Sequence, residues 1–294
     1  MSVKIENIQS EVAEVNTIEN FEPGIYFDLP NEKYHASNGI SKSGLMLFAD
    51  NPEKYHWRYI LGNKQEAKPQ FAVGSAFHTA TLEPDKFDEE YIVAPDLNKN
   101  TNLYKAWVVE NADRTILSIK DYDMVMSMAK KVRKNPITSR MISNGYAEAS
   151  IYAIDEITGE TVKVRPDWIN DDIIVDLKST TNASFSAFAR DMYSYSYFVQ
   201  AGMYPEVANA VLPEPVSAFV FIVVEKEPPY SIGIYRASRE DTAFGVESYR
   251  RNLDRFAKYK AKNFWPSYNR GLIVDTALPG YAKKTEMQED LSNY

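Results

Sequence analysis

The stretch Val162-Lys163-Val164-Arg165-Pro166-Asp167-Trp168-Ile169-Asn170-Asp171-Asp172-Ile173-Ile174-Val175-Asp176-Leu177-Lys178-Ser179-Thr180-Thr181-Asn182 decides how the chain is read. Ile173 to Lys178 is apolar and β-branched until its end, as a buried strand requires, and Val162 to Trp168 alternates as its partner. Asn170-Asp171-Asp172 supplies the turn of a β-hairpin. Side chains alternate across a strand, so Asp176 and Lys178 share a face with Ile174, while Ile173, Val175 and Leu177 share the other. A turn centred between Asp171 and Asp172 sets Asp167 opposite Asp176. Cross-strand neighbours have Cβ atoms roughly 5 Å apart, near enough for two carboxylates to hold one divalent cation. Taken alone, these residues describe a solvated strand end or an Asp–Lys ion pair more readily than a site, and the rest of the chain has to decide.

The chain has 294 residues, 44% of them hydrophobic and 13% aromatic, enough for a packed globular core. No apolar run approaches the ~20 residues of a membrane span. The acidic start, with Glu6, Glu11, Glu14 and Glu19, is unlike a signal or transit peptide, and a cytoplasmic location is expected. With no cysteine, disulfides, thiolate zinc sites and cysteine-ligated iron–sulfur clusters are excluded. Only three histidines occur, His35, His56 and His78. Any metal is therefore held mainly by oxygen, which points to Mg²⁺, or alternatively Mn²⁺. A net charge of -8 argues against a passive nucleic-acid coat protein but not against an enzyme with an acidic centre and a local basic track. Lys130-Lys131-Arg133-Lys134 and the series Arg250, Arg251, Arg255, Lys258, Lys260 and Lys262 read as solvated helix faces or as such a track.

Along the chain, residues 1–22 read as a flexible lead-in, residues 23–282 as one domain, and residues 283–294 as a polar tail. Gly24 to Asp28 suits a short strand. A helix capped by Ser41 or Ser43 runs to the break at Asn51-Pro52, a second spans Glu53 to about Leu61, and Gly62 to Gln70 is a polar loop. Phe71 to Leu82 is helical and stops before Pro84. Asn102 to Ser143 reads as a charged helical block with Asp121 or Asp123 as a cap and Met124, Met126, Met128, Ala129 and Val132 as apolar positions. Glu148 to Ile154 alternates as a strand. After the hairpin, helical segments reach Val211 with a break near Ser194 to Ser196. A second hairpin joins Val216–Glu225 to Tyr230–Ala237, and Ser238 caps a long helix from Arg239 to Lys262. This order predicts one α/β domain whose mixed central sheet is flanked by helices.

Three further constellations bear on chemistry. Gly74-Ser75-Ala76-Phe77-His78 sets small residues one turn before a histidine, which fits a packed helix crossing or a ligand completing the site of Asp167 and Asp176. Gln200 and Tyr204 lie one helical turn apart, either as ordinary helix residues or as groups reaching a phosphate or ordering Lys178. Glu148, ahead of the hairpin, is an exposed strand glutamate or a further acid at the site. The chain has no glycine-rich phosphate loop, dinucleotide fingerprint or nucleophile elbow.

Together, Ile40-Ser41-Lys42-Ser43-Gly44-Leu45 with Asn51-Pro52, Gly74 to His78 with Leu82-Glu83-Pro84, Arg165-Pro166-Asp167, Val175-Asp176-Leu177-Lys178, and Gln200 with Tyr204 resemble the ordered motifs of the PD-(D/E)xK nuclease superfamily. The likeness is to its RecB-like branch and the phage-type exodeoxyribonuclease VIII (RecE-like) nucleases. It implies a restriction-endonuclease-like core with a helical insertion before the catalytic hairpin. It also implies that His78, Asp167, Asp176 and the backbone carbonyl of Leu177 hold the metal, that Lys178 positions or activates water, and that Gln200 and Tyr204 support the site. DNA contacts are expected from Ser41, Ser43, Arg165 and Tyr204. Asn51 stands where some cluster-bearing relatives place a cysteine, so no iron–sulfur cluster is expected. The implied activity is Mg²⁺-dependent hydrolysis of linear double-stranded DNA from an end, 5′ to 3′, leaving single strand for phage-type recombination. The implied partners are DNA ends, a RecT-like single-strand annealing protein and further copies of the chain in a ring-shaped homo-oligomer, with no membrane. An endonuclease or single-strand nuclease on the same fold, or a catalytically silent DNA-binding module, are the alternatives.

Overall fold

A computed structural model describes residues 19–63, 69–170 and 172–278. The lead-in expected before residue 19, residues 64–68 of the expected loop, Asp171 of the turn and the tail 283–294 lie outside the described residues.

The chain opens with strand β1 (Gly24–Tyr26) and helix α1 (Asn31–Ala36). Ser41 caps α2 (Lys42–Asp50), its hydroxyl accepting from Gly44 N at 3.2 Å and so satisfying a helix-start N–H. Asn51 does the same for α3 (Pro52–Tyr55), accepting from Lys54 N at 3.0 Å, with Pro52 in the first turn where no N–H is needed. The second helix expected here continues only as a wider π-helical turn, His56–Ile60. Next come α4 (Pro69–Leu82), α5 (Phe87–Glu90), β2 (Tyr91–Val93), α6 (Asn102–Glu110), β3 (Thr115–Leu117), α7 (Ile119–Lys134) and α8 (Pro136–Met141). The block expected to be wholly helical is thus interrupted by β3, which pairs in parallel with β2. Thr115 and Ile116 are β-branched and suit that pairing. The cap of α7 is Ser118 rather than Asp121 or Asp123. Ser118 Oγ accepts from Asp121 N at 3.1 Å and donates to the Asp121 carboxylate at 2.6 Å, leaving Asp121 in the first turn, where a negative charge is favourable. Met128, Ala129 and Val132 are buried as expected, while Met126 is 38% exposed.

Strands β4 (Tyr146–Ala147), β5 (Ser150–Ile154), β6 (Thr161–Val164), β7 (Trp168–Ile169) and β8 (Ile173–Thr180) follow. Val162 to Trp168 is not one strand. Pro166 offers no N–H to a ladder and separates β6 from β7. β6 joins a three-stranded sheet ordered β1-β5-β6, and only β7 pairs with β8. The expected register nonetheless holds: Trp168 faces Val175 and Ile169 faces Ile174, so one further step brings Asp167 level with Asp176. After α9 (Phe185–Ser194) and α10 (Tyr197–Asn209), β9 (Ala218–Glu225) runs parallel to β8, β10 (Ile232–Arg236) turns back antiparallel, and α11 (Arg239–Ala261) closes the core under its Ser238 cap. The main sheet is mixed, in the order β10-β9-β8-β7-β4. Among the described residues, no helix is long and apolar enough to cross a membrane.

Strand alternation sorts the core into two layers. Ile174, Phe221 and Val223 pack against Phe188, Val199, Met203 and Leu253 from α9, α10 and α11. On the opposite face, Val175, Leu177, Ile222 and Val224 meet Phe77, Met128 and Val132 from α4 and α7. Each such buried side chain contributes about 1.5–3 kcal/mol. Helix α10 approaches α11 backbone to backbone through Gly202 and Gly245: a Cβ added at Gly202 would stand 2.5 Å from Val246 N. Asp155, after β5, anchors the smaller sheet to these helices. It accepts from Thr158 N at 2.9 Å and from Thr158 Oγ1 at 2.6 Å, and it pairs with Arg250 of α11, whose Nε lies 3.0 Å from Glu206 of α10.

Overpacking of that helix crossing is expected to make Gly202→Ala less stable by about 1–3 kcal/mol, read as a lower denaturation midpoint at unchanged m-value. Burial pushes the Asp155 carboxyl up, but the Thr158 bonds and then Arg250 hold it below its ordinary value. Asp155→Asn is therefore expected to cost about 1.5–3 kcal/mol at pH 7. A depressed folded pKa gives stability that is complete above the unfolded value of about 3.9 and lost as pH falls through the folded one. Unfolding curves of parent and variant should accordingly converge below about pH 4.

Candidate active site

Burying a carboxylate requires partners, and Asp176 on β8 is 1% exposed. Gln200 Nε2 donates to its Oδ1, and Lys178 Nζ pairs with its Oδ2. Two residues along the strand, Lys178 projects from the same face, and its ammonium lies 4.7 Å from the centre of the Tyr197 ring. Tyr197, Gln200 and Tyr204 recur at i, i+3 and i+7, one stripe of α10. Burial opposes the charge on Lys178, yet Asp176 and then Asp167 raise its pKa above the ordinary value, so it remains a cation. Burial lifts Asp176 to about 6, partly offset by Lys178 and reinforced by Asp167. Tyr204, which meets Phe219 edge-on at 6.0 Å, is held neutral first by burial and then by Tyr34, Asp176, Asp167 and Glu148.

Asp167 links this pair to a second group. Its Oδ2 accepts from Leu177 N at 2.6 Å, and its Oδ1 lies 3.3 Å from His78 Nδ1. Burial opposes protonation of His78, but the Asp167 carboxylate overrides it and raises the imidazole to about 9. The same contact keeps Asp167 below the usual range despite burial. Glu148 is not part of a strand: it occupies a left-handed turn between β4 and β5, with φ 49°, and its N–H donates to the Asp167 carbonyl at 3.1 Å. Burial, then repulsion from Asp167, pushes its carboxyl up to about 8.

His78, Glu148 and Asp167 each offer a ligand atom, all within 4.8 Å of one another, close to the span one cation bridges. An imidazole and two carboxylates are donors that suit a divalent ion. Asp176 stands outside this trio, its oxygens taken up by Lys178 and Gln200. Leu177 is present through its backbone, the N–H holding Asp167.

The expected DNA contacts divide. Ser41 is occupied as the cap of α2 and lies 3.1 Å from the Ser43 hydroxyl, which is at the surface. Arg165 turns inward rather than outward to DNA: its side chain is 8% exposed, Nε donates to Glu148 O at 2.9 Å, and the guanidinium reaches Asn31 and Leu29 O and covers Tyr34 at 4.9 Å. It therefore braces the strained Glu148 turn. Two residues at the site carried no role in the sequence reading. Tyr197 could have been found from its spacing to Gln200 and Tyr204. Lys42 lies inside a quoted motif, but only the fold brings it to Lys178: its Nζ donates to Tyr195 O at 2.8 Å and lies 5.7 Å from the Tyr197 ring. Burial and then the Lys178 charge lower it to about 8.

Among solved structures, a candidate exonuclease from Eubacterium rectale superposes with a TM-score of 0.62 at 15% identity, covering 86% of this chain and 97% of that one. This likeness establishes a shared fold. A second structure, SSO0001, shares 16% identity over 65% of this chain and 88% of that one, with a TM-score of 0.29, too low to carry an argument. No curated protein matches. The family profile described as a PDDEXK-like domain of unknown function (DUF3799) matches residues 41–272, from the Ser41 cap past the end of α11. With Asp167 just before β7, Asp176 within β8 and Lys178 two residues beyond it, the chain belongs to this PDDEXK-like family.

Proposed function

We propose that the chain is a Mg²⁺-dependent deoxyribonuclease that degrades linear double-stranded DNA from an end, 5′ to 3′. The observation that carries this reading is the convergence of His78, Glu148 and Asp167 beside the Asp176–Lys178 pair. The divalent ion would be held by His78, Glu148 and Asp167, with Asp176 adjoining, and would supply charge neutralisation on the phosphate and acidification of water. The protein's own contribution is positional and electrostatic. Lys178, a cation at neutral pH, donates toward the attacking water or the scissile phosphate. Gln200 holds Asp176, Leu177 N holds Asp167, and neutral Tyr204 is a hydroxyl donor at the same wall. Lys42 adds a second positive charge facing the phosphate path.

End dependence, polarity and a role in phage-type recombination rest on the motif resemblance, and the Eubacterium rectale relative's description as a candidate exonuclease supports the first of them. On the same basis we propose a cytoplasmic enzyme acting as a ring-shaped homo-oligomer and handing single strand to a RecT-like annealing protein.

Linear duplex labelled at one 5′ or one 3′ terminus, followed with Mg²⁺ and with chelator, tests the reading directly. Early release of the 5′ label in Mg²⁺ alone, with covalently closed circles intact, is expected. Digestion of circles would remove end dependence, and intact linear DNA with either Mg²⁺ or Mn²⁺ would remove the nuclease assignment. Asp176→Ala and Lys178→Ala are each expected to lower kcat by roughly 100-fold or more. Gln200→Ala, which frees Asp176 without deleting it, should lose roughly 10- to 100-fold in activity or metal affinity, measured by titrating Mg²⁺ at fixed DNA.

A further inference from the structure

Past Lys178, β8 ends through Ser179 and Thr180, and a recess of about 280 Å³ opens between these residues, Thr181 just beyond the strand, and Asp191, Tyr195, Tyr197 and Lys226. Lys178 is shared: its ammonium pairs with Asp176 and its side chain lines the recess. A strand whose scissile phosphate reaches Asp167 and Lys178 therefore passes its neighbouring nucleotide to this recess. The volume lies near the lower end of small-molecule pockets, about 300 Å³, and suits one nucleoside rather than a base pair.

The lining chemistry suits a whole nucleotide, with Lys178 and Lys226 available to its phosphate. Asp191 can accept from base amines, while Thr180 and Thr181 add hydroxyls that donate or accept. Tyr195 is 60% exposed, with the Tyr197 ring 5.5 Å away. Its backbone is held from two sides. Ser196 takes a left-handed φ of 54° at the elbow between α9 and α10, and Lys42 of α2 donates to the Tyr195 carbonyl at 2.8 Å. An exposed aromatic side chain on an anchored elbow beside the cations Lys42 and Lys178 is the arrangement used to stack a base.

We propose that this recess is the subsite for the single nucleotide next to the scissile phosphate, with its base stacked on Tyr195. The inference rests on the nuclease reading above. Stacking of one base on an aromatic side chain corresponds to roughly 5- to 150-fold in affinity or rate.

The test scans an abasic residue along the first few positions of a short linear DNA substrate cleaved by the full chain in Mg²⁺. In the parent, one position beside the cut should lower kcat/KM by roughly 5- to 150-fold. That penalty should vanish in Tyr195→Ala and Tyr195→Leu, which no longer distinguish base from no base, and persist in Tyr195→Phe. Thermal unfolding of the variants identifies any that fail to fold, and the two ring-free variants back each other up. A purely structural Tyr195 would slow intact and abasic substrates alike and leave the positional penalty in place, which overturns the proposal. So does a parent that cuts intact DNA yet shows no penalty at any position. A parent that cuts no DNA removes the nuclease reading instead, and the subsite with it.

Discussion

The structure depends on how one buried carboxylate is satisfied. Asp176 lies in the middle of a parallel strand pair, where the apolar environment would drive it to neutrality, and its two oxygens are taken by different elements, Lys178 from its own strand and Gln200 from α10. Removing one partner of a buried ionic group is far more costly than the net worth of the pair. Helix α10, the end of β8 and the approach of Asp167 are therefore mutually constrained. The left-handed turn at Glu148, braced by Arg165, completes the set by bringing a third carboxylate to the same place.

The electrostatics follow from this crowding. Burial first, and repulsion from Asp167 after it, raises the Asp176 and Glu148 carboxyls, while His78 and Lys178 are drawn toward their charged forms by the same carboxylates. Opposing shifts among neighbouring groups are characteristic of functional sites, although structural ion-pair networks produce them too. The donor set separates the cases here: an imidazole and two carboxylates lie within 4.8 Å of one another, whereas the Asp155–Arg250–Glu206 network sets one guanidinium between its two carboxylates.

Much of this arrangement was legible in the sequence. The turn residues set the register that brings Asp167 level with Asp176, and strand alternation assigned Ile174, Val175 and Leu177 to the faces they occupy. The break between α9 and α10 and the cap of α11 were also readable from local chemistry. Non-local effects were not. Pro166 ended a strand whose alternation ran on through it, because pairing partners rather than pattern decide where a strand stops. Glu148 read as a strand residue since nothing in its neighbours announces a left-handed φ. Arg165 looked like a phosphate contact because an arginine's partners, here Glu148, Asn31 and Leu29, are separated from it by up to 136 positions. Lys42 is the same case: its relation to Lys178 exists only once α2 packs beside α10.

The two glycines between α10 and α11 extend the site beyond the residues that touch it. Gln200 and Gly202 are two positions apart, so they point roughly 200° away from each other around the helix. One side of α10 grips Asp176 while the other is seated against the backbone of α11. The seat sets the depth of the helix, and depth sets the reach of Gln200. Gly245, with no chemistry of its own and no view of the acidic cluster, is thereby under the same restriction as a residue that handles substrate. In a mutational scan scored by activity, a position on the remote side of the bundle would register alongside the acids.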